Sequence, residues 1–249
     1  MARQKSIFIL EGTIGGVTFY KTKNGFLAKA KSGVSGERVR KDPCFARTRE
    51  NSAEFKAAAH AGKLLRDSVR PLMYLASDSC ITARVTQLMS RVQKKDVDSA
   101  RGCRLPAKGI KTSEGKALMK LFNFNKDSIL HSILLKPYLV NSITGEISIM
   151  NFVPARDLMI PEGATNFRLI GGMLVIDFFK GTYDLRLTNA VDRAIDETPV
   201  TVTLAPTALP TGSGVKLFFL KLEYFQKVNE EPYSLNNGEF NSLEIIEVI

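Results

Sequence analysis

Residues 215–226 read VKLFFLKLEYFQ, and this stretch decides the fold class of the second half of the chain. Successive side chains of a β-strand point to opposite faces, so the stretch divides into two sets of alternate residues. One set is apolar or aromatic throughout: Phe218, Leu220, Leu222 and Tyr224. The other set is mixed: Leu217, Phe219, Lys221, Glu223 and Phe225. The pattern predicts a strand whose first set faces the core.

Further short strands are predicted on both sides of this stretch. The candidates are residues 138–140, 147–150, 166–170, 173–179, 182–188, 199–204 and 242–248. Turn signals rich in Gly, Pro and Asn separate them at intervals of roughly 8–12 residues, which is typical of antiparallel sandwiches. We therefore predict an α+β chain that ends in an antiparallel, immunoglobulin-like β-sandwich over residues 128–249.

Residues 42–127 are predicted to form a helical region. Asp42-Pro43 is typical of a helix start, because it combines a capping oxygen with a proline at the first helical position. The helix should run to about Arg70, and a second, amphipathic helix near 79–95 should pack antiparallel against its small residues. The predicted packing stripe is Phe45, Ser52, Phe55, Ala59, Gly62, Leu65, Val69 and Leu72.

Residues 1–41 are predicted to form a basic β-hairpin arm and a linker. Asn24-Gly25 stands between two strand-like runs, and this dipeptide is a strong hairpin signal because both turn residues must accept positive φ. A two-residue turn there would place Phe19 opposite Ala30 and Tyr20 opposite Lys29. Neither face of that hairpin is cleanly apolar, so the ribbon is expected either to lie on another surface or to form an edge of the main sheet.

The charge of the chain is divided between its two halves. Residues 1–120 carry 25 Lys and Arg against 10 Asp and Glu, a net charge of +15. Residues 121–249 carry 10 against 15, a net charge of −5. This division indicates either a polyanionic partner or the assembly of one copy's basic face on another copy's acidic face.

Motifs for catalysis, cofactors and metals fail on inspection. Residues 109–116, GIKTSEGK, are not a phosphate loop, because the glycines have the wrong spacing and Ala117 replaces the required hydroxyl. The cysteines Cys44, Cys80 and Cys103 form no CxxC pair, and His60 and His131 lack recognisable partners. We expect a protein that is not an enzyme and has no catalytic residues, cofactor or metal.

Basic and aromatic residues alternate in the first part of the chain, and this pattern predicts an interaction surface. Basic grooves with aromatic platforms bind single-stranded nucleic acid, but the same composition suits docking on an acidic protein. The candidate interaction residues are Phe19, Tyr20, Lys21, Lys23, Phe26, Lys29, Lys31, Arg38, Arg40, Lys41, Arg47, Arg49, Lys56, Lys63 and Arg70.

Two segments carry a resemblance to a known group. Residues 15–21, GGVTFYK, and residues 42–51, DPCFARTREN, resemble a protein group of Bacteroidota genomes for which no activity is established. The resemblance implies that the glycine hairpin and the basic helix form one unit. It implies no catalytic residue.

The functional expectation from the sequence is a structural protein. Its basic arm would dock on neighbouring subunits of a homo-oligomer or of a larger phage-like or filament-like assembly. The alternative is a sequence-independent nucleic-acid-binding protein that uses the same arm and helix. The expected location is the cytoplasm or an assembled particle, because no stretch reads as a signal peptide or a membrane helix.

Overall fold

Helices and antiparallel sheets both occur in the chain, which confirms the α+β class predicted from the sequence. The computed structural model describes residues 2–3, 9–23, 25–31, 33–229 and 231–249. The chain divides into two compact units, an N-terminal unit of residues 1–49 and a C-terminal unit of residues 50–249. The C-terminal unit contains both helices and sheets. The sequence alone instead predicts three regions: an arm with a linker at 1–41, a helical region at 42–127 and a β-sandwich at 128–249.

The N-terminal unit contains a four-stranded antiparallel sheet in the order β1-β4-β3-β2. Its strands are β1 (Ala2–Arg3), β2 (Gly12–Ile14), β3 (Val17–Thr22) and β4 (Gly25–Ala30). The predicted register between β3 and β4 is wrong by two residues, since Phe19 lies opposite Ala28 and Tyr20 lies opposite Leu27. A shift of two leaves every side chain on its predicted face, because the side-chain period of a strand is two.

The position of the turn explains this shift. Thr22 pairs with Gly25, so the connection consists of residues 23 and 24 rather than 24 and 25. Gly25 has a φ of +108° and begins β4. Such a backbone conformation favours glycine, so Gly25 serves the start of the strand instead of the turn. Asn24 lies outside the described residues.

The described side chains of the N-terminal unit lie between residues 9 and 49, and none of them is buried. Residues 9–23, 25–31 and 33–49 are all exposed or half-buried. Exposed apolar side chains include Ile9, Ile14, Val17 and Val34. The described residues of the sheet therefore pair through their backbones and contribute no buried apolar side chain.

The helix start predicted at Asp42-Pro43 is confirmed. Helix α1 (Gly36–Lys41) is capped by Ser35, whose hydroxyl accepts a hydrogen bond from Arg38 N at 3.2 Å. Asp42 caps the next turn, a 3₁₀ turn at Pro43–Phe45, and its Oδ1 accepts from Cys44 N at 3.0 Å. Helix α2 (Ala46–Ser68) follows directly.

Short helices follow α2 along the chain. They are α3 (Arg70–Met73), α4 (Ile81–Gln93), α5 (Pro106–Gly109), α6 (Ser113–Met119), α7 (Leu130–Ile133) and, further on, α8 (Pro154–Asp157). Helix α2 ends two residues before the predicted Arg70, and Pro71 lies inside α3. A Cβ atom on Gly62 would lie 3.4 Å from Val85 Cγ1, so α2 and α4 touch at the predicted small residue.

The predicted packing stripe of α2 is wrong in its first half. Ser52 is exposed, and Phe55 is 63% exposed. The apolar cluster that contains α2 begins only at Ala58, so residues before it have no core to enter. The buried residues of α2 are Ala58, Ala61, Gly62, Leu65 and Ser68.

Two antiparallel sheets form the rest of the C-terminal unit. The strands are β5 (Leu139–Val140), β6 (Ile147–Phe152), β7 (Asn166–Asp177), β8 (Thr182–Ala194), β9 (Val200–Leu204), β10 (Val215–Val228), β11 (Glu231–Ser234) and β12 (Ser242–Val248). The larger sheet has the order β11-β10-β7-β8, with β12 also paired to β10, and the smaller has the order β5-β6-β9. The other side of β12 is paired with residues 121–124, for example through Phe124 N and Leu243 O at 2.8 Å.

Both faces of the larger sheet are covered. The predicted inward residues of β10, such as Phe218 and Leu220, lie in an apolar cluster with residues of β6 and β9. The mixed face also carries core residues, since Leu217 and Phe219 lie in a second cluster with residues of α2, α3 and α4. Helices, larger sheet and smaller sheet therefore form three successive layers with an apolar core at each contact.

Two adjacent glycines in β7 allow these layers to come close. A Cβ atom on Gly171 would lie 2.7 Å from Ile147 Cδ1 of the smaller sheet. A Cβ atom on Gly172 would lie 2.8 Å from Leu72 Cδ1 on the helical side. Since real Cβ atoms do not approach other atoms so closely, a side chain at either position would force the end of the Ile147 or Leu72 side chain to move.

Candidate interaction surfaces

The sheet of the N-terminal unit brings together two of the predicted basic–aromatic pairs. Lys21 Nζ lies 5.7 Å from the centre of the Phe26 ring, and Lys29 Nζ lies 5.4 Å from the centre of the Tyr20 ring. The two pairs occupy opposite faces, as expected from the alternation of side chains. Both arrangements are cation–π contacts within the sheet, so each ring face already has a cation beside it.

Several predicted cations of the linker are engaged with carboxylates. Arg38 Nε lies 3.0 Å from Asp42 Oδ2, and Lys41 Nζ lies 2.8 Å from Glu37 Oε1. Hydrogen bonds from Cys44 and then Arg38 lower the pKa of Asp42 below its usual value. These exposed i,i+4 pairs support α1 weakly and reduce the net charge that the linker presents.

Arg49 has a structural position. Its Nη1 donates hydrogen bonds to the carbonyl oxygens of Val39 at 2.8 Å and Asp42 at 2.9 Å. One guanidinium therefore connects the end of α1 to the first turn of α2, and it adds a second donor to the Asp42 carbonyl, which also accepts from Phe45 N at 3.1 Å. Arg49 is a positioning residue for this part of the unit rather than a free contact.

The predicted basic line of Arg49, Lys56, Lys63 and Arg70 is not one continuous helical surface. Lys56 and Lys63 are exposed on α2, but Arg70 belongs to α3. Lys63 Nζ pairs with Asp67 Oδ2 at 2.5 Å, and this hydrogen bond lowers the pKa of Asp67. The other predicted residues, Phe19, Lys23, Lys31, Arg40 and Arg47, are exposed or half-buried.

No protein-family model, curated protein or solved structure matches this chain. Within the described ranges, no helix is both long and apolar enough to cross a membrane. The same residues contain no group of three or more His, Cys, Asp or Glu side chains placed to hold a metal ion.

One of the two histidines lies beside a buried carboxylate. Glu244 on β12 is fully buried, and its Oε2 accepts a hydrogen bond from Asn123 Nδ2 at 2.6 Å. His131 Nδ1 lies 3.4 Å from the same oxygen. Asn123 Oδ1 accepts from Leu130 N at 2.9 Å, so this cluster joins α7 and the 121–124 segment to the sheet.

Sequence reasoning missed a second basic–aromatic surface, in the C-terminal unit. The turn between β7 and β8 carries Phe179, which is 76% exposed. Two cavities, of about 520 and 530 Å³, both include Phe178, Phe179 and Ala107 in their walls. Phe179 therefore stands on a ridge between two clefts. The sequence signal was DFFKG at 177–181, but the predicted strand 173–179 assigned both aromatics to a strand. Strand β7 ends at Asp177, so Phe178 and Phe179 lie in the turn, where apolar residues are unusual.

The turn that presents Phe179 is well defined by hydrogen bonds. Asp177 Oδ1 accepts from Phe179 N at 2.8 Å and from Lys180 N at 3.0 Å. Gly181 N donates to Asp177 O at 2.8 Å, and Gly181 has a φ of +73°. The backbone hydrogen bond from Lys180 is the largest cause of a lowered pKa at Asp177. This carboxylate is therefore occupied in closing the turn.

Proposed function

We propose that the protein is a non-enzymatic structural protein whose basic N-terminal unit docks on neighbouring subunits of an assembly. The observation that supports this proposal is a sheet without a core: no described residue from 9 to 49 is buried. A sheet needs an apolar face packed on another element to be stable in water, because ordering its backbone costs about 1–2 kcal/mol per residue. A partner surface would supply that packing.

The exposed chemistry of the N-terminal unit indicates what the partner surface should offer. Residues 1–49 contain 11 Lys and Arg against 3 Asp and Glu. Ile14 is 58% exposed and Val17 is 36% exposed, and the two are cross-strand partners. A matching surface would therefore combine exposed apolar residues with acidic ones.

The β10–β11 hairpin of a neighbouring copy fits this description. Every residue of β11 is exposed, and Tyr233 is 58% and Val228 45% exposed. Glu231 adds a carboxylate opposite Val228. β11 is a terminal strand in the order of the larger sheet, and such edge strands accept further strands readily. We propose this hairpin as the acceptor.

Sedimentation of the full chain with paired variants tests the proposal. Wild-type protein, treated with nuclease, should associate as its concentration rises. The double variant Ile14→Asp with Val17→Asp should remain monomeric, because it places charge on the proposed contact. Val97→Asp, at an 84% exposed apolar residue elsewhere, is the matched control and should behave as wild type. A wild-type protein that is monomeric at every concentration contradicts the proposal.

A charge exchange tests the acceptor separately. Lys21→Glu, on the same face as Ile14 and Val17, should weaken association by about tenfold, and Glu231→Lys should do the same. Combining the two changes should restore part of the loss if these charges meet across the interface. Lys94→Glu, at an exposed lysine of α4's C-terminal end, provides the control. Additive losses would show that the acceptor lies elsewhere.

Nucleic-acid binding by the arm and basic helix remains the alternative prediction. The contacts favour it less, because Arg38, Lys41 and Lys63 pair with carboxylates and Arg49 binds carbonyl oxygens.

We also propose that the two sheets of the C-terminal unit, which share an apolar cluster, form the predicted β-sandwich. Its immunoglobulin-like form, the Bacteroidota resemblance and the location in a particle or the cytoplasm stay predictions.

A further inference from the structure

We propose that the Phe179 ridge and the two clefts beside it bind single-stranded nucleic acid. The ridge is the tip of the β7–β8 hairpin, and both clefts lie within the C-terminal unit. None of the residues used here belongs to the N-terminal unit, so this site does not depend on the docking proposal.

The backbone that carries the exposed ring is fixed by hydrogen bonds. Phe178, its neighbour, is half-buried and packs against the cluster formed by the helices and the sheet. The Asp177 carboxylate fixes the turn through the backbone of Phe179 and Lys180. A large aromatic side chain kept 76% exposed on such a turn presents a flat apolar face to the solvent. A nucleic-acid base can stack on a face of this kind.

Lysines line both clefts beside the ring. Lys63 and Lys180 belong to one cleft, and Lys108, Lys111 and Lys116 belong to the other. Within the part of the chain that the structure describes, Lys111 and Lys116 form no ion pair. Lys63 pairs with Asp67, and Lys180 lies 3.9 Å from Asp177 Oδ2. Lys108 Nζ donates to Ser99 Oγ at 2.8 Å, and Asp67 lines the first cleft as Asp177 lines the second. With three lysines beside one aspartate, the second cleft holds the larger net positive charge of the two.

The arrangement favours a polymer with free bases over other anions. A backbone that crosses the ridge would place phosphates in both clefts while one base stacks on Phe179. A small phosphate compound would occupy one cleft and leave the other unused. Duplex nucleic acid keeps the faces of its internal bases stacked within the helix, so it offers none to the ring. An acidic peptide would satisfy the lysines but leaves no role for the exposed aromatic ring.

Fluorescence anisotropy with the full-length protein tests the proposal. The probe is a fluorescein-labelled 15-nucleotide oligothymidylate, and a 15-base-pair duplex of mixed sequence is the comparison. Phe179→Ala should weaken binding of the single strand by about fivefold or more, as expected for loss of a stacked base. Phe55→Ala, at a phenylalanine that is 63% exposed on α2, is the matched control and should leave binding unchanged.

The salt dependence tests the contribution of the lysines. Three phosphate contacts from Lys108, Lys111 and Lys116 should give a log–log slope of about −2 for a single strand. Lys111→Gln with Lys116→Gln should reduce that slope to about −0.7, since one contact remains. These residues lie on the surface, and equal melting temperatures for all variants would establish that the fold is kept.

Four results would overturn the proposal. Equal affinity of wild type and Phe179→Ala for the oligothymidylate would exclude the ring from binding. Tighter binding of the duplex would indicate a general phosphate surface. Displacement of the oligothymidylate by polyglutamate at lower charge concentration, with a dependence on Phe179, would assign the ridge to an acidic protein. Wild-type protein that binds no single strand at low salt would exclude the site altogether.

Discussion

The N-terminal and C-terminal units use similar backbone structure and differ in what their side chains bury. Each contains antiparallel strands with regular registers. The described part of residues 9–49 has no buried residue, whereas the larger sheet of the C-terminal unit has an apolar cluster on each face. Backbone pairing is thus common to both, and among the described residues the burial of apolar surface, which drives folding, is found only in the C-terminal unit. Under the proposed function, packing on a partner surface would supply the burial that the described residues of the N-terminal unit lack.

The largest expected difference comes from removing an aromatic ring in each unit. Phe219→Ala should lower the free energy of unfolding by about 3–5 kcal/mol, because the ring is fully buried between helices and sheet. Phe19→Ala, at a half-buried ring of β3, should change it by less than about 1 kcal/mol. Urea unfolding followed by circular dichroism measures both. A large loss from Phe19→Ala would break the comparison, since it would reveal a core in the N-terminal unit.

Glycine substitutions give the next largest effect. Gly62→Leu should cost about 1–3 kcal/mol of stability, because its side chain would meet Val85 and Thr86 of α4. Gly62→Ala should be neutral or stabilising by up to about 1 kcal/mol, since a Cβ at 3.4 Å is an ordinary contact and alanine favours helix.

Gly36→Leu, in α1 of the N-terminal unit, is the matched control. A Cβ there would meet nothing within 4 Å, so we expect a change within about 0.5 kcal/mol. Thermal melts of Gly62→Leu, Gly62→Ala and Gly36→Leu measure these changes in stability. A neutral Gly62→Leu would mean that α2 and α4 do not pack as described.

A buried carboxylate should make the stability of the C-terminal unit depend on pH. Asp96 is only 3% exposed. Burial alone would raise its pKa, but hydrogen bonds from Leu105 N at 3.0 Å and Ser99 N at 3.1 Å prevail and lower it below the usual 3.8. A pKa lowered by folding gives stability that is present above about pH 4 and lost as the pH falls through the folded value.

Asp96→Asn should therefore lower the urea midpoint at pH 7, by less than Gly62→Leu does, and the gap to wild type should narrow at pH 3. Asp98→Asn, at an exposed neighbour, should leave the midpoint at pH 7 unchanged. A gap for Asp96→Asn that widens at pH 3 would show that its carboxylate is not stabilised by folding.

The smallest effect is expected at Arg49. Arg49→Lys should leave global unfolding unchanged, because the shorter side chain loses only the two hydrogen bonds that Nη1 donates to the carbonyl oxygens of Val39 and Asp42. Limited proteolysis should nevertheless cut the segment between residues 33 and 45 faster than in wild type. Arg40→Lys, at an exposed arginine of α1, should not change the rate. Equal rates for both variants would show that the guanidinium does not hold α1 to α2.

The parts of the fold that sequence predicted best depend on local signals. The Asp42 cap, the helix at 81–93 and the alternation in β10 are each set by residues close in sequence, and each is found. The burial of Leu217 and Phe219 was missed, because the helices of the same apolar cluster lie at least 98 residues away in sequence. The turn at residues 23–24 was misplaced because Gly25 suits positive φ in a strand as well as in a turn.

The candidate surface was predicted only where basic and aromatic residues are neighbours in sequence. Tyr20 and Lys29 were grouped from composition, and the sheet places them together. Phe179 and the lysines of residues 108–116 are separated by more than 60 residues, and only the packing of α5 and α6 beside the β7–β8 turn joins them. Because they are so far apart in sequence, these residues form no local basic–aromatic pattern that sequence analysis could detect.

The Gly171-Gly172 pair has a consequence for how the C-terminal unit loses its structure. At this point β7 has no side chains, and Ile147 and Leu72 pack against its two faces. If either the helices or the smaller sheet separated from the larger sheet, the backbone of β7 would be exposed to water on that face, with no side chain to cover it. A half-unfolded species that keeps one core should therefore be too scarce to detect, and calorimetric and van't Hoff enthalpies should agree for residues 50–249.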